Sequence, residues 1–143
     1  MKYLLVVLSL FGGVLATQAA ATEAFVVNVP VEFKNLEPKV TAVAIHCKVL
    51  AVQPNGTFKE FQPVKTATVT PQSGNYAGTV KIVFQTEDFA PPERAVLNQV
   101  NRTRCTFTLV TAAGEFDPHD SKSPIGHNLA APFLWQAQGV FAK

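Results

Sequence analysis

Imidazole and carboxylate groups gather near the C-terminal end of the chain, within residues 113–132, which run AGEFDPHDSKSPIGHNLAAP. This segment contains Asp117, His119, Asp120 and His127. Imidazole nitrogens and carboxylate oxygens together bind Zn²⁺ and other divalent metals. We therefore consider the hypothesis that these four residues bind a metal ion, although their spacing matches no regular ligand motif.

The same segment suits recognition of another protein. Connections longer than about 12–15 residues are uncommon and often functional, and loops on a rigid β scaffold frequently carry binding residues. Phe116, Ile125 and Leu129 would supply apolar anchors for such a partner. The prolines and the glycine of the segment also fit a solvated connection in which the histidines are merely polar, and that interpretation stays open.

Catalytic chemistry finds little support among the three histidines, His46, His119 and His127. A nucleophile needs an activating base held by a third group. His46 precedes Cys47, and successive strand residues point to opposite faces, so we expect the imidazole to lie away from that sulfur. The sequence has no G-x-S-x-G elbow, H-E-x-x-H pair or P-loop. We therefore predict no enzyme, no catalytic residue and no cofactor.

The two cysteines, Cys47 and Cys105, are expected to pair in an oxidising compartment. Both fall on the apolar face of an alternating segment, which predicts a disulfide that crosses the interior and joins two sheets. The bond would close a loop of about 59 residues and stabilise the fold by roughly 4 kcal/mol in the chain-entropy model. Two buried free thiols are the alternative, because buried cysteine behaves as a small hydrophobe.

Strands must position all these groups, because apolar and polar residues alternate through most of the chain after residue 21. The alternating segments are residues 25–33, 41–52, 78–85, 104–111 and 133–141. Pro30 cannot donate to a ladder, so the first strand is expected at a sheet edge. The second is apolar on both faces and is expected to be central.

Turn chemistry separates these strands. Asn55-Gly56 and Ser73-Gly74-Asn75 are typical of tight hairpin turns, which need residues that tolerate positive φ. Asn55-Gly56 further predicts that the Cys47 strand pairs with its successor in one sheet. Residues 91–100 alone look helical, and Pro92 would start one or two turns there.

Six to eight short antiparallel strands with no long helix predict an all-β sandwich or a small barrel. Two core-facing cysteines bridged across the interior favour the sandwich, and this arrangement resembles the immunoglobulin fold. The resemblance is architectural and does not extend to family membership. Trp135 follows the second cysteine instead of the first, and Thr103 occupies the place of that family's tyrosine. We expect one immunoglobulin-like β-sandwich over residues 22–143.

The first 21 residues predict a secretory signal peptide. Lys2 precedes an apolar stretch that runs to Ala16, and an A-x-A site places cleavage after Ala21. An uncleaved anchor is the alternative, but the stretch is shorter than the ~20 residues of a spanning helix. We therefore expect a periplasmic or secreted protein with no stable membrane insertion after cleavage.

Composition narrows the function further. The chain has 143 residues, is 48% hydrophobic and 15% charged, and carries a net charge of +2. It is too apolar for a disordered chain and too weakly basic for a nucleic-acid partner.

We predict a non-enzymatic binding or structural module that meets another protein through a sheet edge or end loops. Residues 25–33 are the edge expected to accept a partner strand. A metal- or ligand-binding protein using residues 113–132 is the alternative, and a fimbrial subunit is a special case of the binding module.

Overall fold

The computed structural model describes residues 22–118, 136–137 and 140–141. The described residues form nine strands: β1 (Glu23–Phe33), β2 (Ala42–Val52), β3 (Phe58–Glu60), β4 (Lys65–Val69), β5 (Tyr76–Gln85), β6 (Arg102–Thr111), β7 (Gly114–Phe116), β8 (Gln136–Ala137) and β9 (Val140–Phe141). One short helix, α1 (Pro91–Arg94), lies between two 3-10 turns at Thr86–Asp88 and Leu97–Gln99. Within these ranges, none of the helical segments has the length and apolar character to cross a bilayer. The expected signal peptide and its cleavage site lie outside the described residues and stay predictions.

The strands form two antiparallel sheets. In sheet A the order is β5-β1-β9. In sheet B the order is β3-β2-β6-β7, with β4 also pairing β2 and β8 also pairing β6. The prediction of a mostly β protein with antiparallel sheets is therefore confirmed, and the described strands slightly outnumber the predicted six to eight.

The two sheets share one apolar core, because the apolar side chains of their alternating strands point into the same interior. Val27, Val29 and Val31 of β1 are buried together with Ile45 of β2. Phe33 of β1 meets Phe107 of β6 edge to face, with ring centroids 5.5 Å apart. The period-2 pattern of the sequence thus defines which side of each strand is buried.

The edge position predicted for β1 is wrong at Val27 and Asn28, which pair with β9. On its other side β1 pairs with β5 along almost its whole length. Pro30 lies opposite Thr79 of β5, beyond the short β9 pairing, so its missing N–H does not interrupt that pairing. The central position predicted for the second strand is confirmed, since β2 pairs with β3, β4 and β6.

The Cys47–Cys105 disulfide is present, but its predicted place between two sheets is wrong. The two cysteines lie directly opposite each other in the β2–β6 pair of sheet B, with Cα atoms 4.1 Å apart. Such close Cα atoms are typical of a non-hydrogen-bonded pair of antiparallel residues. Both side chains are fully buried, as predicted. Two residues that lie directly opposite each other within one sheet also point to the same face. The alternation of buried and exposed residues therefore cannot distinguish a disulfide within one sheet from a disulfide between two sheets.

Both predicted turns are confirmed. Gly56 has φ of 80° in the hairpin that joins β2 to β3, and Asn55 Oδ1 accepts a hydrogen bond from the Thr57 N–H at 3.0 Å. Ser73 and Gly74 have φ of 50° and 76° between β4 and β5. The predicted helical stretch is confirmed in part, as α1 and the following 3-10 turn.

The disulfide should contribute strongly to stability, because it closes a long loop in the unfolded chain. We expect the double variant Cys47→Ala/Cys105→Ala to lose about 3–4 kcal/mol of unfolding free energy and on the order of 10 °C in melting temperature. Calorimetry of the oxidised protein, the reduced protein and the variant measures this. Reduction should reproduce the variant, and equal melting of all three proteins would contradict a stabilising bond.

Candidate functional site

A shallow groove opens at the end of sheet A, where β1 finishes and β5 begins. Its volume of about 530 Å³ falls within the range of small-molecule sites. Its lining comes from the end of β1, the turn before β5 and the first residues of β5, and comprises Glu32, Phe33, Lys34, Asn35, Gln72, Asn75, Tyr76 and Ala77. The antiparallel register places Phe33 opposite Tyr76, so the two loops at this end must lie side by side.

Hydrogen bonds lock these two loops together. The Leu36 N–H donates to the Gly74 carbonyl at 2.9 Å, and the Asn35 N–H donates to Asn75 Oδ1 at 3.2 Å. Asn75 Nδ2 in turn donates to the Ser73 carbonyl at 2.9 Å. Because each loop is held by the other, the groove is formed before any ligand arrives.

Two residues of these loops have a backbone conformation that side chains disfavour. Asn35 has φ of 55° and Ser73 has φ of 50°. Positive φ is uncommon outside glycine, and it persists only where the surroundings impose it, often at binding sites. The hydrogen bond from the Asn35 N–H to Asn75 Oδ1 provides that constraint for Asn35, which lines the groove, whereas Ser73 takes its positive φ in the tight turn between β4 and β5.

The lining combines polar and apolar surface and carries no net charge. Glu32 and Lys34, both exposed, form an ion pair at 2.5 Å. Among the described residues, no hydrogen bond engages the side-chain amides of Asn35 and Gln72. The half-buried ring of Tyr76 packs against Phe33, with centroids 6.4 Å apart. The groove therefore combines amide donors and acceptors with the aromatic rings of Phe33 and Tyr76.

A second polar cluster lies on the outward face of sheet B, around His46. Its Nδ1 lies 2.9 Å from the Thr66 hydroxyl of β4, and its Nε2 lies 2.9 Å from the Thr108 hydroxyl of β6. Nε2 also lies 2.6 Å from Glu115 Oε1 of β7, which accepts a hydrogen bond from Thr108. The imidazole thus connects four adjacent strands, β4, β2, β6 and β7.

The prediction that His46 is a partly exposed sheet residue turned away from Cys47 is confirmed, since its side chain is 25% exposed on the face opposite the core. Sequence reasoning missed its partners. Thr108 is a polar position of an alternating segment, Thr66 lies outside the alternating segments, and Glu115 lies near the start of the long C-terminal segment. Only the register of β2 with its neighbours brings them together.

The pKa of Glu115 lies below its ordinary value of 4.5. The Thr108 hydrogen bond is the main cause, partial burial opposes it, and the His46 hydrogen bond and charge lower the pKa further. The ionised carboxylate is therefore favoured in the folded protein. Its contribution to stability is present above the unfolded pKa and is lost as the pH falls through the folded value.

Asp88 ties the first 3-10 turn to β4 in a similar way. Partial burial by itself would raise the pKa of Asp88, but the hydrogen bond and charge of Lys65, together with the Gln85 N–H, lower it overall. Lys65 Nζ lies 2.5 Å from Asp88 Oδ1. This contact adds to the acid sensitivity of the fold and lies apart from both the groove and the His46 cluster.

Few residues of the predicted C-terminal site can be placed. Phe116 is half-buried in β7, and Asp117 is exposed just after it. His119, Asp120, Ile125, His127 and Leu129 lie outside the described residues. Within the described ranges, no three His, Cys, Asp or Glu side chains are arranged to hold a metal ion. The metal and partner hypotheses for residues 113–132 therefore stay predictions.

Comparison of the chain with protein-family models, with curated proteins and with solved structures finds no match. Functional inference therefore rests on the geometry of the molecule itself.

Removing the charge of Glu115 should weaken the fold only where that carboxylate is ionised. We expect Glu115→Gln to lower the melting temperature at pH 7, and the difference from the unmodified protein to shrink as the pH falls below 4.5 through the lowered pKa of Glu115. Glu23→Gln is the control, since the described residues give Glu23 no ion pair. Melting curves across this pH range measure the effect, and a difference that stays constant with pH would refute it.

The contact of Gly74 with Leu36 should make this glycine harder to replace than Gly56. Both have positive φ, but a Cβ on Gly74 would lie 2.6 Å from the Leu36 carbonyl oxygen, whereas a Cβ on Gly56 would meet nothing within 4 Å. Gly56→Ala should cost about 1 kcal/mol from backbone conformation alone. Gly74→Ala should cost about 2 kcal/mol more, from displacing the Leu36 loop. Urea unfolding of the two variants tests this, and equal losses would show that the loops are not in contact.

Proposed function

We propose that this protein is a non-enzymatic binding module that works in the periplasm or outside the cell, and that it binds its target in the groove between residues 32–36 and 72–77. One observation carries the proposal: hydrogen bonds between two loops hold an open groove in place, and its lining includes Asn35, whose backbone is kept at positive φ. A preformed groove lowers the ordering cost of binding.

The location outside the cytoplasm has two supports. The first is the disulfide, because such bonds persist mainly in oxidising compartments. The second is the sequence of residues 1–21, which has the order of features of a secretory leader. A disulfide within one sheet departs from the immunoglobulin arrangement, so we retain an immunoglobulin-like sandwich only as a proposal for how the two sheets are layered.

The end loops are a better candidate for the binding surface than the strand first expected to serve. The strand predicted to accept a partner, β1, pairs with β5 on one side and, at Val27 and Asn28, with β9 on the other. Strand addition to that side would have to displace the β9 pairing. The groove needs no such displacement, because its lining is already open to solvent.

Capture from an envelope extract of the native host tests this proposal. The bait is the full chain passed through its own export route, compared with Asn35→Gly/Gln72→Ala. Glycine keeps the positive φ of residue 35 while removing its amide. Asn98→Ala/Gln99→Ala is the matched control, because it removes two exposed amides from the second 3-10 turn.

We expect the groove variant to lose at least about tenfold of a captured component that the control variant retains, as loss of about 1.4 kcal/mol of binding free energy implies. Equal capture by all three baits would overturn the assignment of the groove as the binding site. Circular dichroism and melting curves should show that both variants remain folded.

A further inference from the structure

Resting on the proposed function, we infer that the ligand of the groove is an uncharged saccharide. Glu32 and Lys34 are the charged residues of the lining, and they neutralise each other at 2.5 Å. A phosphate or sulfate would meet the Glu32 carboxylate, and a cation would meet the Lys34 ammonium. The charge of the groove therefore matches a neutral ligand.

The hydrogen-bonding groups match hydroxyl groups in particular. An amide side chain offers two N–H donors and a carbonyl acceptor, and a hydroxyl both donates and accepts. The amides of Asn35 and Gln72 are open to such a ligand from two different loops, since no described residue bonds to them. Because Asn75 and Gly74 lock these loops together, the spacing of the two backbone segments that carry these amides is set in advance.

Tyr76 adds the apolar part of the site. A sugar ring has a C–H face as well as hydroxyl edges, and an aromatic ring with a polar tip suits such an amphipathic surface. Phe33 supports the tyrosine ring from one side. Gly78 permits its position, since a Cβ there would lie 3.1 Å from the Tyr76 hydroxyl. The ring is therefore held at the groove by its neighbours and needs no ligand to order it.

A peptide fits the groove less well. Peptide recognition depends on apolar pockets for side chains or on a free strand edge. Phe33, the large apolar residue of the lining, is only 2% exposed. Among the described residues, the exposed large hydrophobic side chains are Phe58 and Val64, and neither lines this groove.

An array of neutral and acidic oligosaccharides, probed with the full-length protein, tests the inference. We expect binding to one or more neutral oligosaccharides. The signal should fall at least tenfold for Asn35→Gly and for Gln72→Ala, and remain for Gln99→Ala. A ¹⁵N-resolved titration with the best array sugar should shift amides of residues 32–36 and 72–77. The inference would be overturned if the protein bound no neutral sugar more strongly than the double groove variant does. It would also be overturned if the protein bound acidic sugars alone.

A second titration, with triglycine, distinguishes this inference from the proposed function. If triglycine shifts the groove amides and no sugar does, the groove is a peptide site and the saccharide inference is wrong, while the proposed function stands. Groove-dependent capture from the envelope extract without sugar binding leads to the same conclusion. If the groove captures no component of the extract and binds neither a sugar nor triglycine, both the proposed function and the saccharide inference are overturned.

Discussion

The pairing of β2 with β6 is the interaction on which the rest of the structure depends. These strands run antiparallel from Ala42 opposite Val110 to Leu50 opposite Arg102, and the Cys47–Cys105 bond covalently holds that register. A slip by one residue would turn every core side chain outward. The same register sets both faces of sheet B: Ile45 and Phe107 enter the core, and His46 meets Thr108 on the outside. The disulfide therefore acts on the polar face as well as on the core.

Sheet A shows how register creates a site. The β1–β5 pairing ends with Phe33 opposite Tyr76, and this places the chain after β1 beside the turn before β5. Gly74 can then approach Leu36 closely, because it has no side chain. Asn35 accepts positive φ since its N–H gains Asn75 as a partner. The groove is thus a consequence of where a long strand pair stops, and the hydrogen bonds between the two loops hold it in place.

Sequence patterns predicted most of the strands, because burial on one face imposes a period of two that residues such as Val27, Val29 and Val31 display directly. They also predicted the Asn55-Gly56 and Ser73-Gly74 turns, whose residue types meet a local backbone requirement. They could not decide whether Cys47 and Cys105 were neighbours within a sheet or faced each other across the core. The groove was missed for a related reason: Asn35 and Gln72 are far apart in sequence, and although asparagine tolerates positive φ, only the β1–β5 register brings Asn35 beside the turn before β5.

The placement of the disulfide within one sheet is tested most directly by nuclear Overhauser contacts between backbone protons. In a non-hydrogen-bonded antiparallel pair the two Cα atoms approach closely, here to 4.1 Å for Cys47 and Cys105. A strong Hα–Hα contact between these residues is therefore predicted, repeated two residues away between Ile45 and Phe107 and between Val49 and Thr103. A disulfide-bonded protein that lacks all three contacts would contradict the account, because its cysteines would then belong to strands that are not paired.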